Sequence, residues 1–414
     1  MGKQLVLPPG MKQVPVHWKQ EFCLWHLKRG PKDSGFPSKF GGFFNLLAAL
    51  NAIADYNMER LKAGLSKIGV SLHGGLELAL GLGPGETNPE FAKKVNTPEA
   101  ITYPDLLAWM NDESRPNFAG TPDIGGIPVA GFGREIWGNR GSYCSTDPLA
   151  REIGWWTWVE AKKILDDMRQ YPWGQDAFLL NWGGNNSLDA DEADPDEIVT
   201  VETYTESELW SLERQHLIRV ANELGEVVKL EPKLFHPGWL VAGTTKLGAM
   251  LAAEVNKAVG KIMCTINVEF AHHWSDGANL RDGFKLLRKA GAFVDCKGRA
   301  QMHGGGGIKA GINLAAAIES KKGIKRGNLC VTPDMDYRLA NITSEQMAEV
   351  RGVIRDTIAE AGIIPETWDV DKVTVLVSWD VRHAGQDDPL TMQVRSIGLL
   401  EEIIARETAR LGVA

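Results

Sequence analysis

The sequence has no basic excess, no long apolar run and no paired-cysteine motif, and each absence closes off a class of function. Lys and Arg number 45 against 53 for Asp and Glu, giving a net charge of −8 and a pI near 5.7. A phosphate backbone is gripped by a positive field, so nucleic acid is not expected as a partner. No stretch approaches the roughly 18–20 consecutive apolar residues that cross a bilayer. Prolines, not the apolar core of a signal peptide, follow Met1-Gly2-Lys3-Gln4. The expectation is a cytoplasmic protein with no membrane partner. Cys23, Cys144, Cys264, Cys296 and Cys330 are scattered, odd in number and without a CxxC pair; they read as reduced thiols, most of them in apolar runs where they act as small hydrophobes. Neither GxGxxG nor GxxxxGK[ST] occurs, which removes the phosphate-binding turn on which doubly wound nucleotide folds rely. Beyond the glycines at 304–307 there is no low-complexity tract or internal repeat.

What is present is an alternation. Short apolar runs at 21–26, 67–73, 126–132, 176–182, 226–231, 262–270, 291–296 and 328–332 are separated by stretches of helical spacing at 44–66, 148–170, 206–224, 244–259, 280–290 and 308–320. Near-continuous apolar strands alternating with helices imply parallel pairing with both sheet faces covered. Eight such units predict an α/β fold, a (β/α)8 TIM barrel over 21–343. Residues 1–20 form a Pro-containing arm. Residues 344–414 read as a C-terminal extension: a helix over 344–361 opened by Thr343 and Ser344, a ninth strand over 372–379, and a last helix over 391–411. The acidic stretch 189–197 reads as a solvated loop.

In such a barrel the active site lies at the C-terminal ends of the strands, so polar residues that end apolar runs are the candidates. Glu231 ends the fifth run, Glu269 the sixth, Asp295 the seventh and Asp336 the eighth. Carboxylates gathered at one rim require a cation, and hard oxygen ligands select Mg²⁺ or Mn²⁺. Glu231 and Lys233 share a strand face, which sets an ammonium beside the carboxylates. His272 stands three residues past Glu269, within reach of a second ion or a substrate hydroxyl. His236 lies in a loop at the same rim, and His303 opens the glycine tract.

Asn267-Val268-Glu269-Phe270-Ala271-His272, followed by 293–301 (FVDCKGRAQ), resembles the metal-binding segment of xylose isomerases. Leu230-Glu231-Pro232-Lys233 is similar to that family's LEPK strand, 181–185 (NWGGN) to its WGGREG turn, Val70-Ser71-Leu72-His73 to its TFH, and Asp336-Tyr337-Arg338 to its DFK. The resemblance extends over residues 20–345. It implies that Glu231, Glu269, Asp295 and Asp336 hold one divalent metal on two sugar hydroxyls. It also implies that Lys233 polarises the carbonyl, that Trp25 and Trp182 wall the pocket, and that His73 helps open the ring. For the C-terminal extension it implies a subunit contact in a homodimer or homotetramer.

The chain departs from that pattern. His73 is followed by Gly74-Gly75-Leu76, and 301–307 contains no carboxylate, leaving only Glu269, His272 and His303 for a second ion. The activity that the resemblance implies is a metal-dependent sugar isomerase of the aldose–ketose type, and the departures point away from it. The alternative on the same barrel is a single-metal sugar epimerase, or a lyase acting on C-glycosides or keto-sugars. A non-catalytic carbohydrate-binding protein is the alternative from another class.

Overall fold

The computed structural model describes residues 4–14, 18–24, 46–72, 103–130, 144–145, 147–182, 198–199, 208–232, 241–275, 278–305, 307–311, 324–325, 331–336, 343–363, 374–380 and 389–412. Helix ends follow local chemistry. Asp147 accepts from Leu149 N at 2.9 Å with Pro148 at the first helical position, Thr244 accepts from Leu247 N at 3.1 Å, and Asn279 accepts from Arg281 N and Asp282 N. These caps open α3 (Pro148–Met168), α5 (Thr245–Val259) and α7 (Leu280–Lys289). Gly260, with φ at 77°, ends α5 in the left-handed conformation that side chains resist. The other helices are α1 (Leu46–Lys62), α2 (Tyr103–Met110), α4 (Glu208–Arg219), α6 (Phe270–Ser275), α8 (Ser344–Ile363) and α9 (Pro389–Leu411). Among the described residues no helix is long and apolar enough to cross a membrane.

Among the described residues eight parallel strands close into a ring. They are β1 (Trp18–Cys23), β2 (Gly69–Ser71), β3 (Gly126–Ala130), β4 (Phe178–Trp182), β5 (Val228–Leu230), β6 (Cys264–Ile266, continuing beyond Asn267 as Val268–Glu269), β7 (Arg299–Gly305) and β8 (Thr374–Asp380). Pairing runs β3 to β4 to β5 to the first half of β6, then from the second half of β6 to β7, β8, β1 and β2. The seam between β2 and β3 is shut by a parallel bridge of Val70 with Ile124 and by Leu72 N donating to Gly126 O at 2.9 Å. This is a (β/α)8 barrel.

Two strands differ from the sequence reading. The run at 291–296 is a turn, in which Val294 makes one antiparallel bridge to Ala300, and the seventh strand starts only at Arg299. Gly291, at φ 64°, and Gly298, at φ 74°, supply the positive φ that such a turn needs. From the eighth run the described part, Val331–Asp336, pairs antiparallel with Gly307–Gly311, where a helix had been expected, and not with a barrel strand. The eighth barrel strand is instead Thr374–Asp380, seated between β7 and β1. Thr374–Asp380, expected as a ninth strand of a C-terminal extension, is therefore a strand of the barrel itself. The join to β1 is tight: Gln393 on α9 accepts from Cys23 N at 2.8 Å and donates to Cys23 O at 3.0 Å, while buried Arg60 on α1 meets Glu401 on α9 at 2.6 Å.

Along the described strands alternate residues divide cleanly. Phe22, Val70, Ile127, Leu179, Val228, Leu230, Cys264, Ile266, Ala300 and Met302 join one continuous core with the helices. The residues between them face the barrel axis, and that interior is largely polar: Glu21, Ser71, Lys229, Thr265, Asn267, Arg299 and Gln301 are all buried there, with Phe178 and Leu180 as apolar neighbours. Gly125 makes room there, because a Cβ would sit 1.5 Å from Glu21 Oε1. Cys23, Cys144 and Cys264 are buried as reduced thiols, and Cys296 is exposed.

Outside the barrel, His216 of α4 lies edge-on to Trp155 and Trp158 of α3, with ring centroids at 6.1 and 5.7 Å. Burial, aided by the Arg219 charge, lowers its pKa to about 3. A depressed histidine contributes stability in full above the ordinary value of about 6.5 and loses it as pH falls toward the folded value. Between pH 6 and pH 4 the unfolding free energy of wild type is expected to fall more steeply than that of His216→Phe, by up to about 1.4 kcal/mol per pH unit. Denaturant titrations across that range check it; parallel slopes would refute it.

Candidate metal centre

Glu231 is the first residue past β5, its N–H donating to Asn181 O at 3.0 Å, and Glu269 is the last residue of β6. From Glu269 the chain turns directly into the short helix α6, which returns His272 over the strand end. Phe270 packs against Phe284 at 6.3 Å between ring centroids, and Trp274 Nε1 donates to Glu349 at 3.0 Å, fixing α6 from both ends. The neighbouring His273 faces elsewhere: its ring contacts Thr245 Oγ1 at 2.9 Å and Asn279 O at 2.8 Å, in space that Gly283 leaves open. Of the two adjacent histidines only His272 reaches the barrel mouth.

The imidazole of His272 stands between the two carboxylates, Nε2 at 3.2 Å from Glu269 Oε2 and Nδ1 at 3.8 Å from Glu231 Oε1. One potential ligand atom from each of Glu231, Glu269 and His272 lies within 4.8 Å of the others, and all three residues are buried. Asn267 Nδ2 donates to Glu231 Oε2 at 3.2 Å, which fixes that carboxylate. Two carboxylates removed from water in one small volume carry a desolvation penalty of several kcal/mol each. A divalent cation balances both charges at once, and the oxygen–nitrogen donor set suits Mn²⁺, Mg²⁺ or a borderline metal such as Zn²⁺. The residues present fit a metal.

Of the four carboxylates expected to share a metal, Glu231 and Glu269 stand together and Asp295 stands apart from them. Asp295 precedes β7 instead of ending it, and so belongs to the opposite end of the strand ladder. Its Oδ2 accepts from Lys229 Nζ at 3.0 Å and lies 3.2 Å from Arg299 Nε, while Oδ1 accepts from Lys297 N and Arg299 N. Burial works to raise its pKa, and the charges of Lys229 and Arg299 outweigh that, holding Asp295 below the usual carboxylate range. It is ligated by two cations of the protein itself. Asp336 stands in the antiparallel pair outside the barrel, opposite Gly307. His303 is placed by backbone register beside Glu269, and Trp182 ends β4; no side-chain position is described for either, nor for Asp336. Lys233, His73, His236 and Trp25 lie outside the described residues.

Asn267 and Gln301, which share the interior with the triad, were not singled out from the sequence. The signal was available in the alternation: each is a polar residue flanked by two apolar ones, Ile266 and Val268 or Ala300 and Met302.

No family model matches the sequence, and no curated protein matches it. Solved structures similar to the chain include SacUVDE, 12% identical over 94% of this chain and 99% of that one, with a TM-score of 0.44. A probable 3-DHS dehydratase, AsbF of Bacillus anthracis, is 13% identical over 92% and 98% with a TM-score of 0.45. An L-ribulose 3-epimerase is 11% identical over 84% and 98% with a TM-score of 0.43.

Proposed function

We propose that the chain is a metal-dependent isomerase acting on a monosaccharide or a close derivative at the carbon next to its carbonyl group. The observation that carries this reading is the buried Glu231, Glu269 and His272 cluster at the C-terminal mouth of a parallel barrel, where barrel enzymes place their chemistry. Glu231, Glu269 and His272 would hold the ion, which when bound supplies Lewis acidity to the hydroxyl and carbonyl oxygens of a substrate. The remaining roles belong to the chain. Asn267 orients Glu231. Without the ion, Glu269 and His272, 3.2 Å apart, form a pair that can hold one proton between them, which binding of the ion would displace. Burial of all three excludes the water that would compete for it.

Epimerisation through proton transfer is the second reading, favoured by one observation: Asp295 is committed to Lys229 and Arg299 and does not join Glu231 and Glu269 at the ion.

The test is metal content followed by turnover. Purified protein is expected to carry about one Mn²⁺ per chain after reconstitution. Product formation across a panel of aldoses, ketoses and keto-sugars is expected to cease with EDTA and return with Mn²⁺. In D₂O, deuterium in the product marks proton transfer, and ketose without deuterium marks a hydride shift. A chain that binds sugar equally well with and without EDTA and forms no product from any of them is a binding protein, and the proposal fails.

A further inference from the structure

Strands β5, β6 and β7 carry their inward residues in successive rows. Register pairs Lys229 with Thr265. Carried forward one residue from Leu230 and Ile266, it sets Glu231 beside Asn267. Carried back one residue from Val268 and Met302, it sets Asn267 beside Gln301. In the lower row Lys229 Nζ donates to Thr265 Oγ1 at 3.3 Å, to Asp295 Oδ2 at 3.0 Å and to Arg299 O at 3.0 Å, and Arg299 Nε donates to Asp295 Oδ2 at 3.2 Å while its Nη2 makes no hydrogen bond among the described residues.

The row above it is less complete. Gln301 is 1% exposed and Asn267 0%. Among the described residues, Gln301 Oε1, Gln301 Nε2 and Asn267 Oδ1 make no hydrogen bond. Buried polar atoms are almost always partnered, and three left open in one row, adjoining Glu231, mark a place where something else supplies the partners. The open set is one donor and two acceptors, all neutral. A carboxylate or phosphate would be set against the carboxylate of Glu231 in the same row, and an ammonium would want acceptors alone. A hydroxyl, which donates and accepts without charge, fits.

We propose that Asn267 and Gln301 form a hydroxyl-binding subsite in the row of Glu231, beside the metal triad, which takes a hydroxyl-bearing carbon of a sugar or polyol and so selects among substrates by their hydroxyl pattern. The subsite rests on the sugar reading above, yet its amides act without the metal, so the two are separable.

The experiment is calorimetric titration of the full chain with xylitol, for wild type and Gln301→Met, each with Mn²⁺ and metal-free. Methionine keeps the length of the side chain and removes both amide atoms. Xylitol affinity is expected to fall about tenfold in the variant under both conditions, with Mn²⁺ stoichiometry unchanged and the melting temperature not lowered. Gln301→Glu, which keeps size but replaces the donor, is expected to lose affinity as well and serves if the first variant does not fold. Equal xylitol affinity in wild type and variants, or no xylitol binding by wild type, overturns the subsite and leaves the amides to internal water. Failure to retain Mn²⁺ counts against the metal reading alone, because the metal-free titration still reports on the amides.

Discussion

Glu269→Gln is expected to abolish stoichiometric Mn²⁺ binding and to lower kcat/KM by about a thousandfold or more, the several kcal/mol that a Lewis-acid centre contributes to a transition state. The substitution keeps the shape of the side chain at the end of β6 and removes one negative charge from a cluster in which Glu231 and His272 stand close by. The fold is not expected to suffer. Without metal, two buried carboxylates repel each other, and neutralising one relieves that repulsion, so the metal-free variant should melt higher than the metal-free wild type. With Mn²⁺ present the order should invert, because only wild type gains from binding. Melting curves with and without the ion, alongside metal analysis, read both effects. Full metal occupancy in Glu269→Gln would remove this residue from the site.

Asp295→Ala is expected to do the opposite: to leave Mn²⁺ stoichiometry intact while destabilising the fold by about 3–5 kcal/mol, the range for removing one partner of a buried ion pair. Lys229 has no exposed surface, and its ammonium would lose the carboxylate that lies 3.0 Å away. Adding Lys229→Met should recover much of the loss, since an apolar chain of similar volume needs no counter-charge. The pH dependence has a definite sign. Asp295 is held below the ordinary carboxylate value, so its contribution is present in full above a pH of about 3.9 and is lost as pH falls through the lower folded value. Chemical denaturation of the single and double variants measures the coupling. Loss of Mn²⁺ from a well-folded Asp295→Ala would restore this residue to the metal and contradict its assignment to Lys229.

The sequence was most informative where local pattern and global position agree. Runs such as 176–182 and 262–270 are apolar, bounded by turns and flanked by well-capped helices, and each became a barrel strand. Glu231, Glu269 and His272 were legible because each follows such a run directly. The misplacements came from counting. The run GAFVDC at 291–296 has the composition of a strand, but glycines on both sides of it close a turn and pass the strand role to the more polar Arg299–Gly305. With one strand displaced, Asp295 moved from the end of a strand to its approach, and the eighth place fell to Thr374–Asp380. Apolarity alone does not tell a strand from a turn whose side chains fill the floor of a barrel. The amides of Asn267 and Gln301 were overlooked for a related reason: reading strand ends for chemistry passes over polar residues inside the strand.

The order of assembly follows from where the ring closes. β1 ends at residue 23, and the strand that lies between it and β7 begins at residue 374. During synthesis β1 and β7 must each wait with one bare edge until nearly the whole chain has left the ribosome, and exposed edges are templates for pairing with other chains. A product of premature termination between Gly305 and Thr374 would keep both edges open for good, and such fragments should be found in aggregates.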